Sequence, residues 1–232
     1  MLVLHQGARR GHSRLGWLDS RHSFTFGDHV DPENMRFGPL RVINEDRIAA
    51  GAGFGMHGHR DMEIISYVMS GELAHKDSMS NGSVVKPGDV QHMSAGTGVM
   101  HSEYNPRSEG PNHFLQIWIE PRIRGIPAAY QQRHFSMDEK RGCLRLILSP
   151  GGEAGSLRLN QDALVYAGLF DGAEAAAYTL QELRSVYLHV ARGRIHVNGM
   201  LLHGGDAVKA EGVQTLVLDR AVDAEVLLFD LR

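Results

Sequence analysis

Short apolar runs closed by glycine or polar residues recur along the whole chain. They are LRVI at 40–43, EIISYVM at 63–69, HFLQIWI at 113–119, LRLIL at 144–148, SVYLHV at 185–190, QTLVL at 214–218 and EVLLF at 225–229. Runs of this length, rich in β-branched and aromatic residues and separated by turn signals, predict many short strands in an all-β barrel or sandwich. Amphipathic helical spacing is almost absent. Only stretches near Asp138–Arg141 and Gln181–Arg184 allow a turn of helix.

The order of elements repeats. From Ile64 to Asp77 the pattern reads strand, turn at Gly71, strand, and Gly88-Asp89 then opens another strand. From Val186 to Gly199 it reads strand, turn at Gly193, strand, and Gly205-Asp206 does the same. The letters match poorly but the sequence of elements is shared, which predicts two copies of one β-unit. The segment PAAYQQRHFSMDEKRG at 127–142 is more polar and lacks strand alternation. The expected division is therefore an N-terminal barrel over 1–135 and a C-terminal barrel over 136–232.

Composition narrows the function classes. The chain has 232 residues and a formal charge of −3, with acidic and basic side chains interspersed, so neither a nucleic-acid nor a membrane surface is expected. Cys143 is the single cysteine, which excludes an intrachain disulfide and a thiolate metal cluster and fits a reducing compartment. The start MLVLHQGARRGHS puts its basic residues after a four-residue apolar stretch, the reverse of a secretory signal, and no run reaches transmembrane length. A soluble cytoplasmic protein is expected. Of the 14 histidines, ten lie at or before His113, so chemistry is expected in the first half.

Two segments concentrate that chemistry. In GAGFGMHGHRDME, His57 and His59 stand two apart, and in a strand such positions share a face. In SAGTGVMHSEYN, His101 and Glu103 repeat the spacing. If the two strands are neighbours, imidazole nitrogens and a carboxylate oxygen converge on one point. Neutral imidazole suits Fe, Ni, Co, Cu, Zn and Mn, a carboxylate offsets part of a dication's charge, and an incomplete shell leaves room for dioxygen or a chelating substrate.

Each feature also has a plainer reading. A lone His-x-His is usually a pair of surface or hydrogen-bonded side chains; the two half-motifs together, in glycine-rich settings, favour metal. Glu63, four residues after His59, would share its face on an unbroken strand and stays open as the carboxylate ligand. Gly53-x-Gly55 and Gly96-x-Gly98 precede no helix and read as turns. His189 and His196 alternate with apolar neighbours and are expected to face solvent or a barrel lumen. Asp19, Ser20 and His22 are rejected as a triad because nothing nearby resembles a nucleophile elbow.

The two half-motifs resemble those of the cupin superfamily, and the first 130 or so residues resemble the pirin family more narrowly. The stretches that carry the likeness are GWLDSRHSFTFG (16–27), RVINEDRI (41–48), GFGMHGHRDMEIISYVMSGELAHKDS (53–78), MSAGTGVMHSEYN (93–105), LQIWI (115–119), Pro127 and YQQR (130–133). Like that family, the chain departs from the general cupin pattern: seven residues separate Glu63 from Gly71, Ser94 replaces a proline, and four residues separate Gly96 from His101. The resemblance implies two jelly-roll-like cupin barrels, the second without a metal site. It implies His57, His59, His101 and Glu103 as ligands of one divalent metal, Fe(II) first, with Ni, Co, Cu, Zn or Mn as alternatives, and it demotes Glu63 to a supporting role. It also implies a quercetin 2,3-dioxygenase reaction, in which a flavonol and O2 are the partners and carbon monoxide is released; a metal would lower the pKa of the flavonol 3-hydroxyl, and Glu103 is then expected to accept that proton as catalytic base. The chain is expected to act as a monomer. The alternative that the family offers is a metal- or redox-dependent regulator that binds a protein partner, with incidental flavonol activity; a metal-free small-molecule binding module is a third.

Overall fold

A computed structural model describes all 232 residues. The chain separates into two compact units: Arg10–His134, and Phe135–Arg232 together with Met1–Arg9. The division lies within the polar segment that was expected to hold it. The first nine residues, however, belong with the C-terminal unit and not with the expected 1–135 barrel. The cause is strand pairing, since strand β1 (Leu2–His5) runs antiparallel to residues 207–210. No helix is long and apolar enough to cross a membrane.

The 10–134 unit folds from β2 (Gly11–Arg14), β3 (Leu18–His22), β4 (Leu40–Ile48), β5 (Gly53–His59), β6 (Glu63–Ser70), β7 (Leu73–Asp77), β8 (Gly82–Val85), β9 (Asp89–Ser94), β10 (Val99–Tyr104), β11 (His113–Ile119) and β12 (Ala129–His134). Seven of them form one sheet in the order β12-β9-β6-β11-β4-β3-β2, and four form another in the order β5-β10-β7-β8. β12 covers YQQR, which its polar composition disguised as linker; it is an edge strand paired only with β9. Leu18, Ile48, Val68, Leu73, Val85 and Phe114 form one apolar cluster, and Ile64, Met93, Ala95 and Val99 another. Polar side chains fill the inward positions of the strands that carry these clusters, among them Ser66 on β6 and Gln116 on β11, which are cross-strand partners.

The other unit adds to β1 one helical turn, α1 (Met137–Lys140), and strands β13 (Arg145–Ser149), β14 (Leu157–Arg158), β15 (Ala163–Gly172), β16 (Ala176–Thr179), β17 (Ser185–Val197), β18 (Met200–His203), β19 (Ala207–Glu211) and β20 (Thr215–Leu231). Helix α1 falls where the pattern allowed one and is closed by a capping box between Ser136 and Glu139. The second candidate, around residue 183, is only a turn. The core consists of residues such as Val186, Leu188, Val190, Leu216, Val226 and Leu228. His189 alternates with Leu188 and Val190 and is fully buried on the opposite face, so it meets neither solvent nor this core.

One turn expected from the sequence is absent. Gly193 does not end a strand; β17 runs through it for 13 residues, with register shifts against β20 on either side. β20 likewise joins the two runs at 214–218 and 225–229 into one 17-residue strand, with Arg220 and Asp223 in left-handed conformation at φ 49° and 43°. These are bulges, which bend a long strand without ending it. Gly193 itself sits at φ 71°, and a Cβ there would lie 2.1 Å from the Asp223 carbonyl oxygen. Gly193→Ala is therefore expected to destabilise this unit by about 2 kcal/mol or more, read as a lowered melting midpoint of the metal-loaded protein.

Candidate metal centre

The centre is built on the pairing of β5 with β10. His101 lies opposite His57 and Val99 opposite His59, but further along Glu103 lies opposite Phe54, one residue out of step. The extra residue falls at Gly55 and Met56, a β-bulge in β5. Gly53 allows the close approach that follows: a Cβ there would meet the Glu103 carbonyl oxygen at 2.1 Å. Gly53 and Gly55 thus belong to a bulged strand and not to the turn expected of them, whereas Gly96 and Gly98, both at positive φ, do lie in the turn between β9 and β10. The bulge also leaves the Gly55 carbonyl free to accept a hydrogen bond from His57 Nδ1 at 2.8 Å. That bond fixes the tautomer and leaves His57 Nε2 with its lone pair available.

One donor nitrogen from each of His57, His59 and His101 lies within 4.8 Å of the other two. Ring centroids are 4.4 Å apart for His57 and His101 and 4.9 Å for each of the other pairs. Burial, and then the neighbouring His57 ring, push His59 down to about 4. Burial followed by the adjacent imidazoles pushes His101 down to about 3. Both rings are therefore neutral donors at pH 7. Both nitrogens of His101 are buried with no hydrogen-bond partner. Such orphaned nitrogens are rare in folded proteins, and a cation is the partner that this donor set fits.

Glu103 shares the inward face of β10 with His101 and is 1% exposed. Its oxygens accept hydrogen bonds from Ser66 Oγ (3.1 Å) and Gln116 Nε2 (2.6 Å). Burial raises its pKa above the usual carboxylate range. It is not grouped with His57 and His59; its carboxylate falls within 4.8 Å of His101 and of His75, a residue of β7 that the sequence pattern did not single out. Both groups of metal-competent side chains lie in the 10–134 unit.

The competing carboxylate, Glu63, is separated from the triad by a break in the strand. β5 ends at His59, residues 60–62 turn with Asp61 at φ 49°, and β6 begins at Glu63 in the other sheet. Glu63 alternates with Ile64 and Ser66, which point inward, so it occupies the outer face of β6. There it accepts hydrogen bonds from His92 Nε2 (2.8 Å) and Ser94 Oγ (2.5 Å). His92 accordingly faces away from the triad as well. Met56 is 53% exposed on the outer side of β5.

Aromatic side chains flank the imidazoles on two sides. Trp118 of β11 packs edge-on against His59 (5.0 Å, 79°), with Phe26 edge-on against Trp118 (5.5 Å). Phe54 lies 6.3 Å from His57 and packs edge-on against Trp17 (5.1 Å). A cleft lined by Gly58, His59, Arg60, Ser78, Gly98, Val99 and Met100 reaches the triad at His59.

Comparison with known proteins agrees with this geometry. Residues 5–119 match the pirin family model, and residues 146–231 match the model of the quercetinase C-terminal cupin domain. The chain is 42% identical over 231 residues to a quercetin 2,3-dioxygenase of Escherichia coli K12, covering 100% of this chain and 99% of that protein. It is 43% identical over 225 residues to a putative quercetin 2,3-dioxygenase of Pseudomonas aeruginosa, covering 96% of each. The crystal structure of YhhW from E. coli superposes with a TM-score of 0.96 at 42% identity, over 100% of this chain and 98% of that one. A second YhhW structure, described as a bacterial pirin in complex with nickel(II), gives 0.94 at 42% identity, over 100% of this chain and 99% of that one. With both cupin units accounted for and likeness along its full length, this chain belongs to the pirin family.

Proposed function

We propose that this protein is a metal-dependent dioxygenase of the pirin type that opens the central ring of a flavonol such as quercetin with O2 and releases carbon monoxide. The observation that carries the reading is the convergence of three imidazoles, two of them held neutral, between aromatic walls and next to a buried carboxylate. The curated relatives named quercetin 2,3-dioxygenase support the substrate class.

In this reading His57, His59 and His101 hold the cation and Glu103 is its fourth ligand. Fe(II) is the ion we favour, because an incomplete N3O shell suits a metal that works with O2; the nickel(II) complex of YhhW supports a divalent ion more generally. When bound, the ion acts as a Lewis acid that lowers the pKa of the flavonol 3-hydroxyl. Glu103 accepts the 3-hydroxyl proton at a carboxylate oxygen. Its burial favours this role, since a base whose pKa lies nearer the working pH takes up a proton more readily. Ser66 and Gln116 orient the carboxylate through one hydrogen bond to each oxygen. Trp118 and Phe54 confine a flat aromatic ligand, and their apolar surfaces exclude water from the reacting ring.

Four outcomes test this. Glu103→Gln keeps the shape of the side chain and removes the base; turnover of quercetin, followed as flavonol loss and carbon monoxide release, should fall by about 10²-fold or more, and unchanged turnover would eliminate the base role. His57→Ala should purify with well under one equivalent of metal by elemental analysis, and retention of a full equivalent contradicts the ligand set. Chelated protein should lose thermal stability as the pH falls from about 6.5 toward 4. Neutral His59 and His101 are favoured in the folded state while the unfolded chain takes up protons over that range, so stability must rise with pH there. Metal-loaded protein at pH 6 should melt higher than chelated protein at the same pH.

A further inference from the structure

His75 is buried, borders the centre and has no task in the mechanism above. It is 3% exposed, its ring lies 5.3 Å from that of His101, and it stacks on Tyr130 at 5.1 Å and 30°. Its Nε2 lies 3.3 Å from Asp77 Oδ2. An ionised carboxylate can only accept, so Nε2 carries the ring proton and Nδ1 carries the lone pair. That Nδ1 is buried without a hydrogen-bond partner. Asp77 is itself held in place by the backbone N–H groups of Met79 and Asn81 and by Asn81 Nδ2. A carboxylate that orients one nitrogen of an imidazole lying beside a second histidine and a second carboxylate is the usual outer support of a metal ligand.

The geometry points to an inner position for a divalent cation, held by His75, His101 and Glu103, one donor atom of each lying within 4.8 Å of the others. It rests on the reading of His57, His59 and His101 as a metal centre and extends it. The two positions share His101 and Glu103, and the inner one exchanges His57 and His59 for His75. Glu103 keeps lone pairs for this purpose, because Ser66 and Gln116 use only one on each oxygen. The shared pair carries a single negative charge, so the positions are alternatives and the protein holds one ion at a time. Two imidazoles and a carboxylate suit borderline ions such as cobalt, nickel, zinc or iron rather than magnesium or calcium. Occupancy of the inner position engages the same carboxylate that proton transfer requires, so the two positions compete for Glu103.

Cobalt(II) binding to chelated protein tests this by calorimetry and elemental analysis, with thermal melts to check folding. Wild type should take one equivalent. The double variant His57→Asn with His59→Asn should still take one equivalent, about 10- to 100-fold more weakly. Adding His75→Phe, which preserves the stack on Tyr130, should abolish binding. A folded double variant that takes no cobalt overturns the inner position and leaves the outer reading intact, whereas wild type that takes none overturns the outer reading itself. Should the double variant not fold, wild type and His75→Phe are compared by the visible absorption of bound cobalt: altered bands support the inner position, and identical bands overturn it.

Discussion

The centre depends on one pairing, that of β5 with β10, and on the single extra residue that β5 carries within it. Before the bulge the ladder sets His57 opposite His101; after it, Glu103 faces Phe54. The same irregularity frees the Gly55 carbonyl that fixes the His57 tautomer. Regular pairing would give neither the offset nor that bond. A bulge costs ladder hydrogen bonds, and proteins retain it where it aims a side chain. Here it aims two imidazoles inward on a strand whose alternate residues, Met56 and Gly58, point out.

Electrostatics follows from the same placement. Imidazoles and a carboxylate packed into a barrel interior would be costly as charged groups, and His59 and His101 respond by staying neutral. A neutral ring presents a lone pair, which is what a cation needs and what hydrogen-bond donors nearby would otherwise occupy. Few such donors are present: the partners of Glu103 are Ser66 and Gln116, while His101 has none. Polar residues at the inward positions of otherwise apolar strands therefore serve the carboxylate and leave the imidazoles unoccupied.

Much of this was legible in the sequence because strand periodicity is rigid. Two residues apart means one face, so His57 with His59 and His101 with Glu103 could be paired before any coordinates. Parity fails where a strand ends, and nothing in HRDME announces that Asp61 turns the chain into another sheet and carries Glu63 to the outer face. His75 stands as a lone histidine in LAHKD, outside both of the half-motifs that mark the other ligands. Its inward parity with Leu73, like the lone polar positions of Ser66 and Gln116 within EIISYVM and HFLQIWI, was a usable signal. Gly193 misled for a different reason: glycine at positive φ serves a turn and a bulge equally well, and only the partner strand distinguishes them. The offset between Glu103 and the outer histidines is a matter of ångströms that no residue pattern encodes.

The pairing of β1 with β19 also bears on how the molecule comes into being. Leu2 to His5 find their partners at residues 207–210, so β1 must wait for a strand made about two hundred residues after it. The 10–134 unit is contiguous and can assemble as it emerges, during which time the leading nine residues remain an unsatisfied edge. Closure of the other barrel then becomes a late, long-range event whose entropic cost grows only slowly with the length of the intervening chain. An affinity tag fused close to β1 would hang from that seam, where it loads the closure of the C-terminal unit rather than the pairing of β5 with β10.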